Sequence, residues 1–333
     1  MDTKRNALVD ALRVAAALGV ILGHVELSGY GALGTLLGQF LSVRISLMFF
    51  LTVIGFYLER AFLAGKQPIP GRLRSLLRVY GVWSLVYLAL SFLMTVVLRE
   101  EPTADFFLGK LADFFVSGTY YHFWFYPAVV YALLFIGIVK KLLGSRALTL
   151  LLPLAAVLYA VGLLGTGYLP LGQRLPGLSA LYGAEAFEGV MHLCLLGFPA
   201  VVFGMAGAHM QKKISGSLLL AAAAAYVVES VLLCLVLGWR EDPQMLITPP
   251  VLAVLLLCRA QSSPLPEGRG NASLCRVVSA GMYNVHPLIL AVLAVLLPGL
   301  EGLWTFALCA AGSAVFGWVL YRLRNNKLIA LFL

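Results

Sequence analysis

The sequence predicts an all-α fold: a polytopic membrane helix bundle of about ten transmembrane helices, with both termini in the cytoplasm. Of its 333 residues, 61% are hydrophobic and only 12% are charged, whereas soluble chains are about half apolar and a quarter charged. The mean hydropathy is +0.93. Apolar runs of spanning length recur along the whole chain, separated by short basic loops. We therefore expect a single transmembrane domain over residues 1–333 and no soluble domain.

About ten apolar runs come near the ~20 residues that a helix needs to cross a bilayer. The first follows Lys4 and Arg5, as in a signal peptide, but it continues without a clear cleavage site, so we expect a retained helix. The weakest run contains Pro249 and Pro250 and is expected to be broken or tilted. The predicted spans are 7–26, 33–60, 76–98, 121–139, 148–165, 189–209, 216–238, 244–258, 280–297 and 303–321.

The distribution of positive charge supports this parse. Most of the 24 lysine and arginine residues fall in the loops that lie inside when the N-terminus is cytoplasmic. The opposite loops hold only Arg99, Lys110, Arg174 and Arg240. The net charge of +9 thus reflects membrane topology, and because the basic residues do not form one face, no nucleic-acid partner is expected.

The sequence shows no pattern typical of a metal or redox site. Its five cysteines form no CxxC or CxxH pair, so we expect buried, small hydrophobic side chains rather than disulfides or ligands. No bound cofactor, Ser-His-Asp arrangement or GxGxxG loop is indicated. The cysteines are Cys194, Cys234, Cys258, Cys275 and Cys309.

Two polar residues in the first span stand eleven positions apart. At 100° per residue, Arg13 and His24 differ by about 20° after three turns and lie about 16 Å apart along the axis. Arg13 is toward the predicted cytoplasmic end and His24 toward the outer end. One alternative is that Arg13 snorkels to the interface and His24 merely ends the helix. The shared stripe favours one polar cavity that meets both groups.

Arg44 lies some ten residues from either end of the second predicted span. An unpaired charge at that depth costs at least about 2.5 kcal/mol, so it must pair or line water. This favours a role in anion binding or in holding a catalytic cavity open. Glu229 is the one acid deep in a span and is a candidate counter-ion for Arg44.

Other histidines and aromatic residues recur near the predicted membrane surfaces. His122 lies in "TYYHFWFYPA" at the level of His24, while its neighbours Tyr121 and Trp124 also fit an aromatic belt. "SAGMYNVHP" opens the ninth predicted span and places His286 in the inner half of that span. For the two remaining histidines, His192 and His209, a structural role is expected.

Taken together, these stretches resemble the acyltransferase 3 family of integral membrane acyltransferases. Its marker is an arginine and a histidine with ten residues between them in the first helix, here Arg13 and His24. "RISLMFFLTVIGFYL", "RLRSLLRVYGVW", "YYHFWFYPA" and the Ser-x-x-x-Tyr-x-x-His of "SAGMYNVHP" also match, so the resemblance covers nearly the whole chain.

Within that family, "YHFWFYPA" and "LYAVGLLGTGY" are most similar to the membrane domain of the vancomycin-resistance serine racemases. Those proteins carry a soluble racemase domain, which is not expected within residues 1–333. Their branch often has Arg-Asn-Gly before the sixth span, whereas this chain reads "AFEGVMH".

The resemblance implies transfer of an acyl group, with acetyl favoured, from cytoplasmic acyl-CoA to a hydroxyl or amine of an envelope carbohydrate or small acceptor. The implied location is a bacterial cytoplasmic membrane. His24 would be a general base or an acyl carrier, acting with Arg13 and His122 as the other catalytic residues. The expected substrate-binding residues are Arg44, Arg72, Arg74, Arg78, Tyr121, Trp124, Tyr283 and His286.

Two other functions stay open on the sequence alone. A polar stripe through a helix bundle also suits a transporter of a small amino acid such as serine, although Glu229 is the only deep acid that could relay protons. A flippase or an accessory subunit without chemistry is the third interpretation. The histidines argue for chemistry, because imidazole titrates near neutral pH.

Overall fold

A computed structural model of the chain describes residues 6–97, 103–184, 187–210, 213–236, 243–262 and 272–333. Within these ranges all regular secondary structure is helical, which confirms the all-α prediction. The longer helices are α1 (Ala7–Gly23), α2 (Arg44–Leu63), α3 (Ile69–Phe92), α4 (Thr103–Phe115), α5 (Phe125–Leu143), α6 (Ala147–Gly165), α7 (Phe198–Gly207), α8 (Gly216–Val231), α9 (Thr248–Ser262), α10 (Ala272–Leu296) and α11 (Gly302–Arg322).

Seven helical stretches in the described part of the chain are long and apolar enough to cross a membrane. One of them, Phe125–Gly165, contains both α5 and α6, which are 19 residues each. Helices α1 and α9 are shorter, with 17 and 15 residues. The chain is thus a multi-pass helical protein, while the count of ten spans and the side of each terminus stay predictions.

Helix α1 begins where a side chain caps it and ties it to a distant helix. The Asn6 side-chain oxygen accepts from the backbone N–H groups of Leu8 and Val9, which satisfies donors that an α-helix leaves free at its start. The Asn6 amide nitrogen also donates to the carbonyl of Ala260 at 2.7 Å. One asparagine therefore fixes the start of α1 against the end of α9.

The second predicted span is longer and less regular than expected. Helical structure begins at Gly31–Thr35, passes through a π-helical segment at Leu36–Val43 and continues as α2 from Arg44. A π-helical turn widens the helix and shifts the direction of the following side chains, and such turns are frequent at functional sites. Here the π-helical segment ends at the buried arginine.

Three other helices begin at residues that differ from the predicted span boundaries. Helix α9 starts at Thr248, so Pro249 and Pro250 lie in its first turn, where proline needs no N–H partner and breaks nothing. Helix α10 starts at Ala272 rather than at residue 280. Helix α3 starts at Ile69 rather than at residue 76, so Arg72, Arg74 and Arg78 lie on its first three turns.

Glycines bring two pairs of helices into backbone contact. A Cβ atom on Gly55 would collide with the Val201 carbonyl, and one on Gly204 would collide with Thr52, so α2 and α7 touch reciprocally. Gly281 of α10 and Gly317 of α11 face each other in the same way. Small residues allow such close packing between membrane helices. Helix α1 packs against α2 and α10 and so lies between the two pairs.

Candidate active site

Three histidine rings meet at the C-terminal end of α1. The His24 ring lies 5.2 Å from the His286 ring and 5.0 Å from the Tyr121 ring, between centroids. The His286 ring lies 5.3 Å from the His122 ring. His24 and Tyr121 are exposed, whereas His122 and His286 are buried. The histidine cluster (His24, His122 and His286) therefore has one accessible ring with two enclosed rings behind it.

His24 follows the last residue of α1 and is positioned through its neighbour. The final carbonyls of a helix have no partner within the helix, which is costly away from water. The Gln39 side-chain nitrogen donates to the Gly23 carbonyl at 2.7 Å and satisfies one of these oxygens. Gln39 belongs to the π-helical segment. The residue before His24 is thus fixed from the neighbouring span.

The position of Gln39 is fixed by hydrogen bonds from the Arg44 side chain. Its guanidinium donates to the Gln39 backbone carbonyl, to the Gln39 side-chain oxygen and to the Gln244 side-chain oxygen, each at 3.0 Å. Arg44 is 6% exposed and lies within electrostatic range of His24 and His192. Its position next to the histidine cluster connects a buried cation to the end of α1.

Glu229 is not the counter-ion of Arg44, contrary to the expectation from sequence. Its carboxylate accepts hydrogen bonds from the Tyr168 hydroxyl at 2.6 Å and from the Ile247 and Thr248 backbone N–H groups at 2.7 and 2.9 Å. The Thr248 hydroxyl also donates to it. These donors surround the start of α9, so Glu229 fixes the chain where it enters that helix.

A proline sets the orientation of His286. Pro287 has no N–H, so the helix leaves the Tyr283 carbonyl, four residues earlier, without its usual donor. His286 Nδ1 lies 2.8 Å from that carbonyl oxygen and 3.2 Å from the Met282 oxygen. Since carbonyls only accept, Nδ1 carries the proton and the neutral ring keeps an unprotonated Nε2. That Nε2 has no hydrogen-bond partner among the described residues.

The depth of His286 also differs from the expectation. A span starting at residue 280 placed it in the inner half of the membrane, whereas α10 starts at Ala272 and brings the His286 ring to the level of His24.

The His122 residue contacts Tyr87 of α3 and Tyr283 of α10. It is 2% exposed, and neither ring nitrogen has a hydrogen-bond partner in the described part of the chain. Its backbone carbonyl accepts from the Tyr283 hydroxyl at 2.6 Å, and its ring lies 5.2 Å from that of Tyr87. Buried imidazole nitrogens without partners are costly. This pattern is typical of a site that is completed by a ligand or by water.

A pair of hydroxyl groups fixes the segment of α10 that carries Tyr283 and His286. Tyr126 donates to the Asn284 side-chain oxygen and Tyr87 donates to the Asn284 backbone carbonyl, both at 2.7 Å. Tyr283 is buried, and its hydroxyl is used to hold His122. Its expected contact with substrate stays a prediction.

Trp124 contacts His192 rather than a ring of the histidine cluster. Its ring stacks on that of His192, 4.3 Å apart and 10° from parallel, and both side chains are buried. The structure shows no ring contact between Trp124 and His24.

Arginines gather at the N-terminal end of α1. Arg13 pairs with Asp10 at 2.8 Å and lies within electrostatic range of Arg72 and of the Tyr57 hydroxyl. Arg72 donates to the Ile54 carbonyl at 3.1 Å. We refer to Arg13, Arg60 and Arg72 as the arginine cluster, because Arg60 also lies within electrostatic range of Tyr57.

Two neutral side chains organise this cluster. Arg60 donates to the Gln261 side-chain oxygen at 3.2 Å, and the Gln261 nitrogen donates to the Tyr57 hydroxyl at 2.6 Å. Arg74 and Arg78, by contrast, are exposed on α3. Of the three basic residues at the start of that helix, only Arg72 points into the arginine cluster.

Four residues of these two clusters and their supports were not predicted from the sequence: Arg60, Gln39, Gln244 and Gln261. Arg60 ends the predicted span 33–60, where a basic residue is ordinary, and no charge marks the three glutamines. A signal was present for Gln39, because an amide within an apolar run must satisfy its hydrogen bonds inside the protein. No spacing rule indicated its partner.

Among the described residues, no group of three or more histidine, cysteine, aspartate or glutamate side chains is arranged to hold a metal ion. The described cysteines are all free thiols. Arg99 and Arg240, assigned to external loops, and much of the loop before α10 lie outside the described residues.

The described helices thus place the histidine cluster at one end of α1 and the arginine cluster near the other end. Residues 6–322 match the acyltransferase 3 family, described as an acyltransferase domain. The chain belongs to this family.

Among curated proteins, similarity extends to larger bacterial proteins. The chain is 22% identical over 303 residues to an "Amino-acid racemase" of Enterococcus faecalis, covering 85% of this chain and 41% of that protein. It is 28% identical over 180 residues to a "Serine/alanine racemase" of Enterococcus gallinarum, covering 52% of this chain and 24% of that protein. The chain thus matches less than half the length of these relatives. No solved structure matches it.

Proposed function

We propose that the protein is a bacterial cytoplasmic-membrane acyltransferase that moves an acyl group, with acetyl favoured, from acyl-CoA to a hydroxyl or amine. The acceptor would be an envelope carbohydrate or a small molecule. The family supports acyl transfer in general. The observation that carries the specific proposal is the contact of the accessible His24 ring with the buried His286 ring, which in turn contacts the buried His122 ring. His286 Nε2 and both ring nitrogens of His122 have no hydrogen-bond partner among the described residues.

The arginine cluster is proposed to bind the CoA portion of the donor. CoA carries phosphates, and guanidinium groups bind phosphate oxygens through paired N–H donors. Arg13 and His24 are separated by about 16 Å along α1, so a long, thin thioester arm bound at the arginine cluster can point its acyl carbon toward His24. The exposed Arg74 and Arg78 would add attraction at the entrance.

In the proposed reaction, the unprotonated nitrogen of His24 takes the proton of the acceptor hydroxyl or amine. The acceptor oxygen or nitrogen bonds to the thioester carbonyl carbon as the carbon–sulfur bond breaks. The departing CoA thiolate then takes the proton from the His24 imidazolium. An alternative that uses the same residues is that His24 first bonds to the acyl carbon and then passes it to the acceptor.

His286 and His122 are proposed to support His24 and the acceptor. His286 presents an unprotonated Nε2 within the cluster, since its Nδ1 proton is used on backbone carbonyls. Such a nitrogen accepts a hydrogen bond from a bound hydroxyl or amine. Tyr121, at 5.0 Å from the His24 ring, would cover the open side of the acceptor site.

The test is turnover of radiolabelled acetyl-CoA by the purified protein, measured as CoA release and as label on acceptor or protein. We expect His24→Ala to lower turnover by at least about 100-fold, as for removal of a general base. Label retained on the acid-quenched wild-type protein would favour the acyl-carrier route.

Glu26→Gln is the matched control for this variant. Glu26 is exposed two residues beyond His24, and its carboxylate accepts from the Ser28 backbone N–H at 2.9 Å. We expect this control to keep wild-type turnover. If a folded His24→Ala protein turned over acetyl-CoA at the wild-type rate, the proposed chemistry would be wrong.

Transport of a small amino acid such as serine is the second candidate. The relatives, an "Amino-acid racemase" and a "Serine/alanine racemase", act on amino acids by name, and this supports an amino acid as the substrate of this alternative. Liposomes that contain the purified protein but no acyl-CoA separate the two candidates. Uptake of labelled serine in these liposomes, together with no acetyl-CoA turnover in detergent, would establish transport instead of transfer.

A further inference from the structure

A second cleft lies outside both clusters described above. It has a volume of about 720 Å³ and opens between the end of α2, the start of α3 and the end of α5. Glu59 lines it, whereas Tyr57 faces the arginine cluster. Two residues apart on a helix means about 200°, so these two side chains project from opposite faces of α2. The cleft and the arginine cluster are therefore separate sites.

The floor of the cleft holds a buried, neutralised acid. Glu59 is 2% exposed. Lys140 Nζ lies 2.8 Å from its carboxylate and His209 Nε2 lies 2.9 Å from it. A buried carboxylate needs such partners, because an unpaired charge is costly away from water. The charges of Glu59 and Lys140 cancel each other at the floor of the cleft. The net charge of the cleft therefore comes from other residues.

The rim of the cleft is positive. Lys66 and Lys141 line it, both are exposed, and neither ammonium group makes a hydrogen bond or ion pair with the described residues. Two free ammonium groups at the mouth of one cleft attract an anion. Lys66 follows α2 and Lys141 lies in the last turn of α5, and the charge distribution predicts both positions to be on the cytoplasmic side.

One wall of the cleft is apolar and continues onto the outer surface of the bundle. Leu63, Leu134 and Ile138 line the cleft and are 56%, 43% and 58% exposed. In a membrane-spanning helix such as α5, exposed aliphatic side chains contact lipid. A ligand here meets cations at its head and hydrocarbon along its side, so a fully hydrated anion does not match the wall.

We propose that this cleft binds an anionic phospholipid of the cytoplasmic leaflet. The lipid phosphate lies between Lys66 and Lys141, and an acyl chain follows Leu134 and Ile138 along α5. Basic pockets between membrane helices on the cytoplasmic side bind lipid headgroups by this combination of charge and apolar contact. This inference does not depend on the acyltransferase reaction.

The experiment uses the purified full chain in a neutral detergent and measures its thermal unfolding midpoint. The probes are phosphatidylglycerol, phosphatidylcholine, inorganic phosphate and acetyl-CoA. Because a ligand that binds only the folded state stabilises it, we expect phosphatidylglycerol to raise the midpoint by several degrees and phosphatidylcholine and phosphate to leave it unchanged.

The double variant Lys66→Ala/Lys141→Ala should fold with the wild-type midpoint and lose the response to phosphatidylglycerol. Lys213→Ala/Lys327→Ala removes the same charge from exposed positions outside the cleft and should keep the response. A response that survives in the first variant, or that phosphatidylcholine reproduces, overturns the proposal. A Lys66- and Lys141-dependent response to phosphate or acetyl-CoA also overturns it, because the site would then bind soluble anions.

Discussion

Gln39 offers the sharpest test of how the histidine cluster is held. Its side chain has two roles: its oxygen accepts from Arg44 and its nitrogen donates to the Gly23 carbonyl, next to His24. Gln39→Ala removes both contacts, whereas Gln39→Glu keeps the acceptor for Arg44 and removes only the donor. The two substitutions therefore separate the stability of the buried arginine from the placement of His24.

The magnitudes follow from the contacts. A hydrogen bond to a charged group contributes about 1.5–3 kcal/mol and a neutral one about 1 kcal/mol, while polar contacts between membrane helices average about 0.6 kcal/mol. We therefore expect Gln39→Ala to lower the free energy of unfolding by about 2 kcal/mol. Gln39→Glu should be at least as stable as the wild type, because a carboxylate faces the Arg44 guanidinium.

Activity should follow the other contact. With a carboxylate in place of the amide nitrogen, the Gly23 carbonyl has no donor, and the end of α1 moves away from the repulsive oxygen. A displacement of about 1 Å at a reacting group can lower turnover by about 100-fold. We expect kcat of Gln39→Glu to fall by about 10- to 100-fold while KM for acetyl-CoA changes little, since the arginine cluster is intact.

The assay pairs thermal unfolding with steady-state turnover of labelled acetyl-CoA in the same preparations. Gln39→Asn, with a shorter amide, is the control for side-chain chemistry without the correct reach, and it should resemble Gln39→Ala. A stable Gln39→Glu protein with wild-type kcat would refute the view that the Gln39–Gly23 contact positions His24.

Three further predictions test other contacts. Pro287→Ala restores an N–H that competes with His286 for the Tyr283 carbonyl, so turnover should fall about five-fold, equivalent to about 1 kcal/mol; an unchanged rate would contradict the role of the proline. Arg72→Gln should raise KM for acetyl-CoA about ten-fold with kcat nearly unchanged, and exposed Arg74→Gln should raise it less; equal effects would argue against the arginine cluster. Glu229→Gln replaces one of the two acceptor oxygens by a donor that faces a backbone N–H group and should lower the unfolding midpoint by about 5 °C, from about 2 kcal/mol; a wild-type melting curve would show that this network is not stabilising.

The features that were predicted correctly are those that follow from the pattern of apolar and polar residues along the sequence. Apolar runs predicted helices because a backbone in lipid must satisfy its own hydrogen bonds, and the histidine of "TYYHFWFYPA" was assigned correctly to the level of His24. The ring contacts of His24 and His122 with His286 required knowledge of where α10 begins. That start lies in a polar stretch, where hydropathy gives no boundary.

The hydrogen bonds that neutral side chains make to Arg44 could not be predicted in the same way. Arg44 was expected to need a partner, and the obvious acid was Glu229, since charge is what a sequence displays. The structure instead gives Arg44 amide and carbonyl oxygens from Gln39 and Gln244. Which amide reaches which guanidinium depends on the π-helical segment and on helix packing, and both are properties of the folded chain.

The glycine contacts of α2 with α7 and of α10 with α11 limit how the bundle can change shape. Helices whose backbones touch cannot approach further, and separating them loses all the packing between them. Each pair therefore behaves as one rigid unit. Helix α1, with Arg13 near its start and His24 just past its end, lies between these two helix pairs. In the proposed reaction, room for a bulky thioester would therefore come from sliding or tilting one helix pair past the other, a shear motion that carries the ends of α1 with it.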